Sequence, residues 1–244
     1  MPTVFVTGGA RRIGRGLIRR FAERGWDVGI TFQTSAEAAL TTRNEVLEKG
    51  VRCHITRVDV SDAPALERAM ADLVDELGMP DAIVSNAGVF PDAIDPRLLE
   101  PDAVRSAIDV NTMPLLTLAK YYDSLAERTG SHGRLVAIAS LGAFEIWKDR
   151  LAYNVSKSAL VTMVRSLARS MAPRLSVNAV APGAIVFPDD PTSADLAVSK
   201  VDRIPMGRYG TADDVFDAVW MFSSASTYIT GQVLSVDGGY GLTR

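Results

Sequence analysis

The chain predicts an α/β fold: a parallel sheet of about seven strands with helices on both faces, in one domain. Three observations lead there. Short β-branched or apolar runs alternate with segments of helical periodicity along all 244 residues. A glycine-rich turn, with Gly8, Gly9 and Gly14, joins the first run to the first helix. No internal repeat, low-complexity tract or long linker divides the chain, and one α/β domain of this length is ordinary.

The elements follow in order. The first strand is Thr3 to Val6. Ile13 to Arg24 reads as a helix, with Ile13, Leu17, Ile18 and Phe21 on one face and Gly25 as its stop. Asp27 to Phe32 is the second strand, completing a βαβ unit. A helix at Ala36 to Lys49, a strand at Arg52 to Val58 and a helix at Pro64 to Leu77 continue the alternation. Ala82 to Ser85 is a buried strand, and Asp102 to Arg128 reads as one helix kinked near Pro114, which lacks the backbone donor. Then come strand Arg134 to Ala139, helix Ala152 to Met171 and strand Ser176 to Ala181. Helix Asp213 to Phe222 and strand Val233 to Val236 close the pattern. The one long irregular stretch begins at Pro182 and is Pro- and Asp-rich. A loop of that kind in a compact domain predicts a lid, here over residues 183–204.

Composition narrows the function. Lys and Arg number 26 against 29 Asp and Glu, a net charge of −3, so no global basic field exists to hold nucleic acid or anionic lipid. No apolar run approaches the roughly 18 residues of a membrane helix, and the first residues lack a secretory signal pattern. One Cys and two His (Cys53, His54, His132) cannot build a Cys/His zinc cage. The expectation is a cytoplasmic protein with no metal, no nucleic-acid partner and no membrane partner.

The glycine turn points to a dinucleotide. Small residues between strand and helix let backbone approach a pyrophosphate, and the helix N-terminus offers unpaired N–H groups and a positive dipole end. An NAD site carries a carboxylate about 20 residues on, at the end of the second strand, for the ribose 2′-hydroxyl. Here that place reads Thr31-Phe32-Gln33-Thr34-Ser35, and Arg11 and Arg12 stand in the turn. Guanidinium groups with small hydroxyls suit a 2′-phosphate, so NADP(H) is expected over NAD(H).

A second constellation supplies the chemistry. Tyr153 and Lys157 stand at i and i+4 on one helix face, and Ser140 follows a buried strand. A carbonyl or imine accepting hydride needs a proton at its heteroatom. A phenol is a poor acid–base catalyst in water, and a nearby ammonium is expected to favour its ionised form. Lys157 could also hold the nicotinamide ribose, while Ser140 orients the substrate oxygen. A non-catalytic dinucleotide sensor is the alternative, but a sensor has no need of this set.

These residues resemble the short-chain dehydrogenase/reductase family over essentially the whole chain. The family's phosphate turn appears as Thr7-Gly8 through Ile13-Gly14, its adenine-side pair as Asp59-Val60, and its Asn-Ala-Gly motif as Asn86-Ala87-Gly88. Its active-site Asn, Ser, Tyr and Lys match Asn111, Ser140, Tyr153 and Lys157. Pro182-Gly183, with Ile185 beside the carboxamide, matches its nicotinamide loop, and Thr230-Gly231-Gln232 and Asp237-Gly238-Gly239 match its C-terminal pattern. The resemblance implies a single Rossmann-type NADP(H)-binding domain over residues 1–244, a proton-relay water held by Asn111, and a homotetramer or homodimer. Arg12 replaces the middle turn glycine, which is similar to pteridine reductases. Ser140 and Gly88 differ from those enzymes, where Asp and Ser often stand. Dihydropterins, 3-oxoacyl thioesters and simple ketones all stay open as small-molecule substrates. Phe144, Trp147 and Phe187 are the aromatics expected to border the substrate, and Asp189 and Asp190 the acids of the lid.

Overall fold

A computed structural model describes residues 1–187 and 201–243. Among them β1 (Thr3–Val6), β2 (Asp27–Phe32), β3 (Cys53–Arg57), β4 (Ala82–Ser85), β5 (Gly133–Ile138), β6 (Leu175–Pro182) and β7 (Val233–Val236) form one sheet. Their order is β3-β2-β1-β4-β5-β6-β7, and every pairing is parallel. The helices are α1 (Arg12–Glu23), α2 (Ala36–Leu47), α3 (Ala63–Leu77), α4 (Pro101–Asn111), α5 (Met113–Thr129), α6 (Leu151–Met171) and α7 (Ala212–Ser224).

The two-residue period of a strand divides the core into two layers. Val4, Val6, Val28, Ile30, Val84, Val136 and Val180 pack against Leu17, Ile18 and Phe21 of α1 and Val215, Phe216 and Val219 of α7. Their strand neighbours Phe5, Ile83, Leu135, Ala137, Val177 and Ala179 face the other way. There they meet Leu66 and Leu73 of α3, Leu115, Leu118 and Tyr122 of α5, and Leu160 and Val164 of α6. Both faces are covered, which is why the strands read as apolar runs rather than alternating ones.

The expected kinked helix is two helices. Thr112 separates α4 from α5 with φ −124° and ψ −55°, still donating to the Ile108 carbonyl. Pro114 follows at the start of α5. A proline has no N–H to offer the carbonyl four residues back, and its ring disfavours helical geometry before it. The break therefore falls just ahead of Pro114, and it leaves Asn111 at the last turn of α4. Elsewhere the ends are locally specified. Asp62 caps α3 by accepting from Ala65 N at 2.9 Å, and Thr211 and Asp214 form a reciprocal capping box on α7.

The strand order reverses between β1 and β4, so a crevice opens beyond their carboxyl ends. Among the described residues no helix is long and apolar enough to cross a membrane, and no cluster of metal-ligating side chains occurs. The expected lid lies largely outside the described residues, as do Asp189 and Asp190. Its near end is anchored by a bridge between Ile185 and Gly210.

Candidate active site and cofactor cleft

The crevice is a cleft of about 1160 Å³, larger than a typical small-molecule pocket. At one end it is lined by Gly8 and the turn Ala10–Gly14, Thr31–Ser35 at the end of β2, and Asp59 and Val60. Asn86, Ala87 and Gly88 line its middle, and Ser140, Tyr153, Lys157 and the segment Pro182–Ile185 its far end. The cleft thus gathers every expected cofactor residue and three of the four expected catalytic ones.

The turn fits a pyrophosphate. α1 starts with no side-chain hydrogen bond at its N-cap Arg11 and no acidic residue in its first turn, so its leading N–H groups keep their positive character. Gly14 must lack a side chain: a Cβ there would sit 2.2 Å from the Gly8 carbonyl oxygen. Asn86 holds the turn rather than reaching across the cleft. Its carboxamide donates to the carbonyls of Thr7 and Gly8 at 2.9 and 3.0 Å, while Thr7 Oγ1 accepts from Asn86 N and Ala87 N. Asp59 is occupied in the same way, accepting from Ser61 and, at 2.7 Å, from Gln33 Nε2. Those bonds hold its carboxyl below the usual range.

The structure separates the two turn arginines. Arg12 is the first residue of α1 yet has φ 51°, a left-handed conformation costing a non-glycine residue about 1–2 kcal/mol. That is why a glycine would sit easily there. Its guanidinium lies 4.3 Å from the centre of the Phe187 ring, just past Ile185. Arg11 is exposed on the turn, whose Gly9 N–H donates to the Thr31 carbonyl at the end of β2. The carboxylate of Asp27 is at the start of β2, buried and bonded to Arg52, so no acid of β2 reaches the cleft.

Ser140 follows β5 and accepts from Gly142 N at 3.1 Å, opening a short turn at Leu141–Ala143. Gly142 must be glycine, because a Cβ would lie 2.9 Å from Cε1 of Tyr153. The Ser140 hydroxyl stands near enough to the Tyr153 phenol to favour its ionised form. The Lys157 ammonium is buried, donates to the Ile138 carbonyl at 2.9 Å, and lies 6.0 Å from the Tyr153 ring centre. Asn111 does not line the cleft. Its carboxamide accepts from Val89 N and donates to Val89 O and Ser156 Oγ, fastening the loop after β4 to α6.

The electrostatics differ from expectation. Burial pushes the Tyr153 phenol up to about 12, with the Ser140 hydroxyl pulling weakly the other way. Burial pushes the Lys157 ammonium down to about 8. Desolvation disfavours both charged forms and is the largest cause of each shift.

Aromatic rings enclose the phenol. Trp147 stacks on Tyr153 with centres 5.8 Å apart and planes at 14°, and Phe90 meets it edge-on at 4.6 Å. Trp147 is itself held by its indole N–H, which donates to buried Glu145 at 3.1 Å. Phe144 does not take part: it ends the turn, is half-exposed and stays off the cleft. The direction of its short turn, which sequence periodicity does not encode, sends it outward. Phe90, Glu145 and Arg150 were missed. An aromatic two residues past Gly88 was the available signal for Phe90.

The family model described as enoyl-(acyl carrier protein) reductase matches residues 8–241. The chain belongs to the short-chain dehydrogenase/reductase family. Among curated relatives, the uncharacterized oxidoreductase YohF of Escherichia coli is 31% identical over 98% of this chain and 95% of its own length. A Staphylococcus aureus 3-oxoacyl-(acyl-carrier-protein) reductase, FabG, is 30% identical over 97% of each. The solved acetoin dehydrogenase of Enterobacter cloacae superposes with a TM-score of 0.89 at 30% identity, covering 100% of this chain and 96% of that one. Short-chain dehydrogenases/reductases use a nicotinamide dinucleotide, and the cleft geometry fits one.

Proposed function

We propose that the chain is an NADPH-dependent reductase of a carbonyl or imine group, with Tyr153 as general acid. The observation that carries this is the meeting of Ser140, Tyr153 and Lys157 at the far end of a cleft that begins at a phosphate turn. Bound NADPH would supply the hydride. Tyr153, with its pKa near 12, stays protonated at neutral pH, which a proton donor requires. It is still a far stronger acid than an alcohol, whose pKa lies near that of water, roughly 16, so proton transfer to a developing alkoxide is downhill. Ser140 would hold the substrate oxygen beside the phenol. Lys157 would stabilise the phenolate left behind and bind the nicotinamide ribose hydroxyls. Asn111 is a positioning residue in this reading, keeping Gly88 and Val89 against Lys157.

For the cofactor, Arg11, Thr34 and Ser35 would receive the 2′-phosphate, and Arg12, stacked on Phe187, would face the pyrophosphate. Ser35 is available for this, since its side chain does not cap α2. The solved NADPH-dependent 3-quinuclidinone reductase of Rhodotorula rubra, 28% identical with a TM-score of 0.86, supports the preference. It covers 99% of this chain and 91% of its own.

Ser140 and the relatives named for 3-oxoacyl and acetoin chemistry favour a ketone over a pterin. Dihydropterin reduction is the second reading, favoured by the Arg12 turn and the flat faces of Trp147 and Phe90. The exposed apolar side chains Met113, Leu151 and Val155 on α5 and α6 support assembly into a homotetramer, which light scattering would test. Loss of nicotinamide absorbance with NADPH, across dihydropterins, a 3-oxoacyl thioester, diketones and simple ketones, tests the function. Oxidation of NADPH with at least one of them is expected. Cofactor binding with no turnover on any would favour the sensor.

A further inference from the structure

The substrate end of the cleft carries a cation whose geometry the proton chemistry does not explain. Arg150 immediately precedes α6 and is half-buried in the cleft wall. Its guanidinium stacks on the Phe90 ring, 4.3 Å from the centre, and one of its nitrogens donates to the Pro91 carbonyl. The same Phe90 ring touches Tyr153 edge-on at 4.6 Å. Arg150 and Tyr153 therefore flank one aromatic ring, which puts the guanidinium within about 9 Å of the phenol ring. Among the described residues no carboxylate pairs with Arg150. Lys148 and Arg203 also line the cleft, as does the acid Asp92.

From this arrangement we infer that the substrate is an anionic carbonyl compound: an oxo acid whose carboxylate Arg150 binds while its carbonyl oxygen meets Ser140 and Tyr153. The inference rests on the proposed reductase activity and narrows its substrate class. A guanidinium is planar and always charged, and it presents several N–H donors in a fixed fork that matches a carboxylate. Stacking on Phe90 and bonding to Pro91 hold that plane still before a ligand arrives, which reduces the ordering cost of binding. The spacing sets the ligand length. A few carbon atoms bridge a carbonyl at Tyr153 to a carboxylate at Arg150, whereas a long acyl chain would have to pass the cation. Phe90, covered by Arg150 and met edge-on by Tyr153, stands between the two ends, so a short ligand would run along the cleft beside that ring.

The test compares short oxo acids of increasing length with their methyl esters, using NADPH and the full chain. The unaltered enzyme is expected to favour an acid over its ester by ten- to hundredfold in kcat/KM, mostly through KM, the range for one charge-assisted pair. In Arg150→Gln that ratio should fall at least tenfold, and Arg150→Lys should restore part of it. If Arg150 merely braces the Pro91 loop, both substrates will fall together and the ratio will hold, which overturns the inference. Equal use of acid and ester by the unaltered enzyme also overturns it and leaves the reductase activity standing. Should no carbonyl compound be reduced, glutarate binding followed by tryptophan emission with NADPH present decides separately. Saturable binding that Arg150→Gln abolishes supports the anion site, and its absence removes it.

Discussion

Lys157→Met should flatten the rise of stability with pH. The ammonium is almost fully buried, and burial alone lowers its pKa from 10.5 to about 8. A lysine whose folded pKa lies below its unfolded one binds fewer protons in the native state than in the unfolded one. Stability therefore increases as pH rises from the folded pKa toward the unfolded pKa. Between pH 7 and 9.5 this amounts to about 2 kcal/mol, taking about 1.4 kcal/mol per pH unit above 8. Cys53 acts in the opposite direction, because burial raises its thiol from 9.0 to about 12 and stability falls above 9. Cys53 lies in β3, remote from Lys157, and is present in both proteins, so the difference between them isolates Lys157. Urea unfolding at pH 7.0 and 9.5 measures that difference without cofactor. The parent should gain about 2 kcal/mol relative to Lys157→Met over this interval. Parallel pH profiles would show that Lys157 carries no burial penalty, and the reasoning would fail.

Two further predictions concern the site's shape. Arg11→Ala should lower the NADPH-to-NADH ratio of kcat/KM by roughly ten- to hundredfold, the loss of one charge-assisted phosphate contact. Arg12→Ala should weaken both cofactors alike, and equal effects of the two substitutions on the ratio would erase the division between them. Gly142→Ala should cut kcat at least tenfold, because its Cβ would meet Tyr153 Cε1 at 2.9 Å and move the phenol, with cofactor affinity retained. Cofactor titration by fluorescence beside steady-state kinetics separates these outcomes.

What the sequence revealed, and what it hid, follows from the range of the forces involved. Strand and helix positions were legible because each is a local periodic pattern. The meeting of Ser140, Tyr153 and Lys157 in one cleft was legible because Tyr153 and Lys157 share one helix face and Ser140 follows a strand, whereas the place of Asn111 off the cleft was not. The division of α4 from α5 was half legible: Pro114 announced a disruption, and only the backbone at Thr112 shows a complete break. The direction of the Tyr153 shift was misread, since proximity in sequence suggested attraction whereas burial, a property of the whole fold, dominates. Arg150 was not legible, because it acts on Phe90 and Pro91 in a loop from another strand, while Phe90 and Glu145 stand in loops whose short-range spacing carries no periodicity to single them out. Phe187, expected to border the substrate, lines the cleft, and its ring packs against Arg12, a pairing between residues distant in the chain.

The central claim is that Tyr153 delivers the proton. Tyr153→Phe keeps the ring between Trp147 and Phe90 and removes only the hydroxyl. With the best substrate of the panel, kcat/KM should fall by about 100- to 10,000-fold, the usual contribution of general acid catalysis, while NADPH binds within about threefold of the parent. Turnover within tenfold of the parent, with cofactor affinity intact, would contradict it.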